Sequence, residues 1–127
     1  MIVAAGDTHE DACMYSPGSA QRSFTVVASD ISDNYWPQSN TGSCVDIAAP
    51  GVEVLAENDG RVPQLTGTGP ASAMVAGVAA LIRGQDLSLS TQAVYDRIQE
   101  VASVDVLNIP EGHDSSNVLV NTVGLLD

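Results

Sequence analysis

The sequence contains no lysine, and four arginines are its only basic side chains apart from two histidines. Against them stand 16 acidic residues, for a formal net charge of -12. Nucleic acid and anionic membranes both require a basic surface, so this balance argues against either as a partner. The carboxylates are spread along the chain and not massed in a tail, so they read as solvated loop residues. Long apolar runs are missing too. The uncharged stretch at the apolar centre, residues 71–82, has 12 residues, where a bilayer span needs roughly 20. The opening MIVAAGDTHED has no arginine or lysine and too short an apolar run for a signal peptide. Only two cysteines occur, and there is no internal repeat, linker or low-complexity segment.

With 127 residues and 44% hydrophobic content, the chain has material for one domain, residues 1–127, with a modest core. Residues 2–5 are apolar, stop at Gly6-Asp7 and read as a buried strand. The polar stretch DTHEDACMYSPGSAQR reads as loop. FTVVA, residues 24–28, is a β-branched strand, and CVDIA, residues 44–48, is a third strand closed by Pro50-Gly51. Residues 52–55 and 62–65 flank Asn58-Asp59-Gly60, which is hairpin-turn chemistry, and Pro63 restricts the second arm to an edge. A helix is predicted over 70–83, with Pro70 in its first turn and Gly84 just past its end. It is apolar on every face, which predicts burial all round. One chain of this size has little with which to surround such a helix, so either the core is very economical or a partner completes the burial. A second, amphipathic helix starts at Ser90 or Thr91 and runs to about 102, and the tail SSNVLVNTVGLLD reads as short strand or turn.

The stretch TGTGPASAMVAG, residues 66–77, has the form of a tight loop feeding a buried helix. That arrangement presents nucleophiles, because a helix N-terminus stabilises negative charge in front of it. The loop itself offers no serine or cysteine. Together with VAAGD, DACMYSPGSAQRSFTVVASD and SNTGSCVDIAAPGVEVLA, it resembles, in order and with compatible spacing, the C-terminal half of a subtilisin-like serine peptidase of the branch that includes proteinase K. The resemblance implies an α/β, subtilisin-like partial fold: a short, mostly parallel sheet with a buried central helix, a hairpin and a C-terminal helix.

The chemistry of that family needs a serine nucleophile, a histidine base, an orienting aspartate and an oxyanion donor. At the matching positions stand Gly69 for the serine and Asp7 for the oxyanion asparagine, with Ala73 and Met74 where the motif's proline and histidine would be. The family's catalytic aspartate and histidine belong to an N-terminal half that has no counterpart in this sequence. Ser72, one turn into the helix, reads as a helix-interior serine. His9 and His113 match no family histidine. His9, Glu10 and Asp11 could form a metal cluster or be solvated loop residues, and their spacing matches no common site. No catalytic residue is therefore expected. The resemblance implies a disulfide between Cys13 and Cys44, with two buried thiols as the alternative, and hence an oxidising compartment, secreted or luminal. It also places a calcium carboxylate at Asp46, with the carbonyls of Gln21 and Ser23. The alternative is an aspartate that caps backbone amides, and no cofactor is otherwise expected. Residues Ile2, Val3 and Ala4 would lose an inner neighbouring strand, making them an interface candidate, and Tyr35 and Trp36 are either a second candidate as exposed anchors or packed down on their own loop. The expected partner is another protein chain: a second copy, a missing peptidase half, or a larger assembly. The competing reading is a C-terminal fragment of an active endopeptidase.

Overall fold

In the computed structural model, which describes residues 1–125, three runs of β-branched and small residues become neighbouring parallel strands. They are β1 (Ile2–Ala4), β2 (Phe24–Ser29) and β3 (Ile47–Pro50). β1 pairs Val3 with Thr25, and β2 pairs Val27 with Ala48. All six residues of β2 are buried, as a strand covered on both faces requires. After β3 the chain makes a small antiparallel hairpin, β4 (Val54–Leu55) with β5 (Gln64–Leu65). Asp59 and Gly60 both take positive φ at its tip, the conformation that an Asp-Gly turn supplies. Two helices follow, α1 (Thr68–Gln85) and α2 (Thr91–Val101). Two short strands, β6 (Ser103–Val104) and β7 (Val118–Leu119), complete a sheet of order β1-β2-β3-β7-β6. β7 runs parallel to β3 and antiparallel to β6.

The alternation of side chains along β2 and β3 builds two cores. Phe24, Val26, Ala28, Ile47 and Ala49 face the helices, where they meet Ala71, Val75 and Val78 of α1 and Ile98 of α2. Val27 and Ala48 point the other way, against Ala5, Ala12, Tyr35 and Leu107 from the loops. Each fully buried Val or Ile in these layers contributes about 1.5–3 kcal/mol through apolar burial.

α1 differs from its expectation in three respects. Its buried residues, Thr68, Ala71, Val75, Val78 and Ile82, recur at steps of three and four, which is a single stripe. Burial all round is therefore corrected: Ala73, Ala76, Gly77 and Ala80 are exposed, as are Met74 (42%) and Leu81 (52%). The stripe faces the sheet, and nothing in the described residues covers the opposite face. The helix also begins two residues earlier than predicted, with Gly67 as its N-cap, which places Pro70 third in the helix. Proline is tolerated there because the first-turn N–H groups have no intrahelical acceptor. Gly84 lies inside the last turn, and Asp86 is the C-cap. Elsewhere β3 starts at Ile47, later than residue 44, and the hairpin arms are two residues each. Ser90 caps α2 by accepting from the Ala93 N–H at 3.1 Å. The tail contributes β7, with its last two residues, 126–127, outside the described residues.

Candidate functional site

β1 ends at Gly6, whose φ is 106°. A Cβ on it would stand 2.4 Å from Asn40 Nδ2, so glycine is required twice over. The turn delivers Asp7 to the N-terminus of α1. There Asp7 Oδ1 accepts from the Thr68 N–H at 2.9 Å and from the Thr68 hydroxyl at 2.6 Å. Thr68 Oγ1 in turn accepts from the Gly6 N–H at 3.1 Å, closing a loop between the end of β1 and the start of α1. Gly67, with φ 147°, offers no side-chain cap of its own. Asp7 provides that cap from another element, and its carboxylate suits the positive end of the helix.

Gly69 follows on the exposed side of the first turn, and a side chain there would meet no atom within 4 Å. Glycine holds this position without steric need. Ser72 donates its hydroxyl to the Gly69 carbonyl at 2.7 Å, the back-bond of a helix serine. Both histidines are engaged elsewhere: His9 Nδ1 lies 2.6 Å from the Pro37 carbonyl and His113 Nδ1 lies 2.8 Å from Thr41 Oγ1. Glu10 accepts from the Tyr15 hydroxyl, and Asp11 Oδ1 accepts from the Cys13 N–H at 2.9 Å. His9, Glu10 and Asp11 thus have three separate partners. Among the described residues no group of three His, Cys, Asp or Glu side chains is placed to hold a metal.

The element order and this strand-to-helix junction can be compared with known proteins. The Subtilase family model matches residues 1–121. The chain belongs to the subtilase family. Proteinase T of Parengyodontium album is 39% identical over 123 residues, covering 95% of this chain and 41% of its own length. Cerevisin of Saccharomyces cerevisiae is 37% identical over 139 residues, covering 96% of this chain and 21% of its own. The crystal structure of a cold-adapted subtilisin-like serine proteinase superposes with a TM-score of 0.87 at 34% identity, covering 93% of this chain and 43% of that one. The fold is subtilisin-like, and the chain spans well under half the length of these relatives.

Within this subtilase fold, Cys13 and Cys44 form a disulfide with Cα atoms 5.3 Å apart. It ties the short 3-10 turn Ala12–Met14 to the segment leading into β3. Such a bond fits an oxidising compartment. No helix among the described residues is long and apolar enough to cross a membrane.

Asp46, Gln21 and Ser23 line one cleft of about 420 Å³, so the implied calcium donors are neighbours. Asp46 Oδ2 is taken by the Thr25 N–H at 2.7 Å, and Arg22 lines the same cleft. With one carboxylate oxygen already bonded, the carbonyls of Gln21 and Ser23 and bound waters would have to supply most of the six to eight oxygens that calcium takes. Burial raises the Asp46 carboxyl above its ordinary value, and the Thr25 N–H partly offsets this.

Of the two readings of Tyr35 and Trp36, the exposed anchor is corrected and packing on their own loop holds. Tyr35 is 4% exposed, donates its hydroxyl to the Ser116 carbonyl at 2.7 Å, and has its pKa pushed up to about 12 by burial. Trp36 is half-buried against the helix-side core. Both hold their own loop down. By contrast β1 is the sheet edge, with Val3 buried and Ile2 and Ala4 half-buried.

Asn40 is the residue that sequence reasoning missed. It is 1% exposed. Its Oδ1 accepts from Thr8 N–H, Thr8 hydroxyl and Glu10 N–H at 2.9–3.0 Å, while Nδ2 donates to the Ala5 carbonyl at 3.0 Å. It fixes the backbone on both sides of Asp7. The only signal was its place in the SNTG segment, which describes a motif and not a bonding role.

Proposed function

We propose that this subtilase-family chain is a non-catalytic structural or interaction subunit that docks on another protein chain through the β1 edge and the outer face of α1. The observation that carries the reading is that these two unpartnered features meet. Ile2 of β1 and Ala76, Ala79 and Ala80 of α1 line one shallow depression of about 430 Å³. Phe24 N–H bonds to the Met1 carbonyl and Ala5 N–H to that of Val26, so the odd-numbered groups of β1 face β2. The amides of Ile2 and Ala4 therefore face outward. Open amides beside an apolar helix face make a surface that proteins cover. The partner is a second copy, a separately supplied peptidase half or a subunit of a larger assembly, in a secreted or luminal setting.

The start of α1 supports the non-catalytic part. Gly69 has no nucleophile, and the Asp7 carboxylate occupies the donors of Thr68. A carboxylate repels a developing oxyanion, where losing even a neutral donor costs about 2.7–4 kcal/mol. A second reading is the C-terminal part of a serine endopeptidase whose acid and base lie on a segment outside this chain. It is favoured by the share of the relatives that the chain spans, 41% of Proteinase T and 21% of Cerevisin. A fluorophosphonate probe, which reacts with activated serines, tests the non-catalytic part: no labelling is expected, and labelling of any residue contradicts it. The docking surface is tested by Ala80→Asp. Light scattering at micromolar concentration is expected to show association of the unaltered chain and a monomer for the variant. An unaltered chain that is monomeric contradicts docking on a second copy.

A further inference from the structure

A second apolar groove, of about 550 Å³, shares no residue with the depression at β1. It lies at the carboxyl ends of β2 and β3, where Ser29 and Pro50 line it. Ligands of open α/β sheets collect outside such strand ends. Val52, Val54, Met74 and Leu119 line it as well, together with Ile31 (102% exposed) and Leu55 (65%). Large apolar side chains concentrated this way in open contact with water mark a contact surface.

Its charges have one sign. Asp30, Asp33 and Glu53 line the groove, and no basic residue does. Asp30 is held ionised, its pKa lowered by the Asn34 backbone N–H, the Asn34 side-chain amide and the Ser32 N–H. Hydrocarbon lining and a wholly acidic set of charges together select an occupant that is apolar and cationic. Residues 1–127 do not supply one: the four arginines, Arg22, Arg61, Arg83 and Arg97, lie far apart in sequence, and a second copy brings a net charge of -12.

We propose that this groove docks a basic, apolar peptide segment of a different protein, with one Leu-sized side chain in the apolar lining and flanking Lys or Arg residues against Asp30, Asp33 and Glu53. The test is titration of the full chain with the peptide acetyl-Lys-Arg-Leu-Lys-Arg-amide, followed through the methyl resonances of Ile31, Leu55 and Met74. Saturable shifts confined to these residues are expected, weakened at high salt. Replacing the central Leu of the peptide by Ser, or its basic residues by Glu, is expected to abolish them. The double variant Asp33→Asn with Glu53→Gln should weaken binding roughly fivefold, as two exposed ion pairs do. Removing equal charge on α2 by Asp96→Asn with Glu100→Gln should leave it unchanged. Shifts spread over the whole acidic surface, an equal loss in the α2 control, or absence of saturable binding would overturn the proposal.

Discussion

Asp7 shows how one side chain can join two elements that are distant in sequence. Its carboxylate caps α1 through the Thr68 N–H at 2.9 Å, across 61 residues of sequence. Asp7→Ala is expected to lower the urea midpoint by an amount equivalent to about 1–2 kcal/mol, since it deletes a helix cap. Asp7→Asn, which keeps an acceptor, should lose less. Asp46 allows a pH test with a defined sign. Its folded-state pKa is raised by burial from an ordinary value of 3.8. The favourable state is therefore the protonated one, fully present below 3.8 and lost as pH rises through the folded value. Asp46→Asn is accordingly expected to raise the melting temperature at pH 7, with the gain vanishing by pH 3. Calcium should leave the unaltered chain's melting temperature unchanged; a rise with calcium would support the metal reading. A helix beginning beside Gly69 was legible from the motif alone. The cap was not, because sequence spacing carries no trace of a bond between residues 7 and 68.

At the scale of elements, what was legible depended on whether the signal was local. The Asp59-Gly60 turn, the Ser90 cap and the β-branched run of β2 act through neighbouring residues, and each lies where its local chemistry places it. The burial of α1 is a tertiary property. Its composition is apolar all round, so nothing in its own sequence separates the stripe through Val75 and Ile82 from the face bearing Met74 and Leu81. β6 and β7 are two residues each, too short to show a period. The disulfide couples elements in a way that can be measured. Cys13 and Cys44 are 31 residues apart, and closing such a loop stabilises by about 3–4 kcal/mol in the chain-entropy model. Cys13→Ser with Cys44→Ser should shift the urea midpoint by that equivalent. Gly51 couples β3 to α1: a Cβ there would lie 2.6 Å from the Gly67 carbonyl oxygen and 2.7 Å from Ala28 Cβ. Gly51→Ala is expected to cost about 1–3 kcal/mol through overpacking, read in the same denaturant titration.

For the whole molecule, four ordered sequence segments were enough to place the chain in the subtilisin-like fold, because fold follows from the order and polarity of the elements. The proposed function depends on what meets the surfaces that the fold leaves open. The central claim is that the β1 edge and the outer face of α1 are covered by another chain. Hydrogen exchange at the outward amides of Ile2 and Ala4 tests it most directly. Among the described residues these amides have no partner within the sheet, so their protection reports pairing with something else. Exchange is expected to be slow at micromolar concentration and to become fast on dilution or in Ala80→Asp. Fast exchange at both amides at every concentration, in a monomer that unfolds cooperatively, would contradict the account.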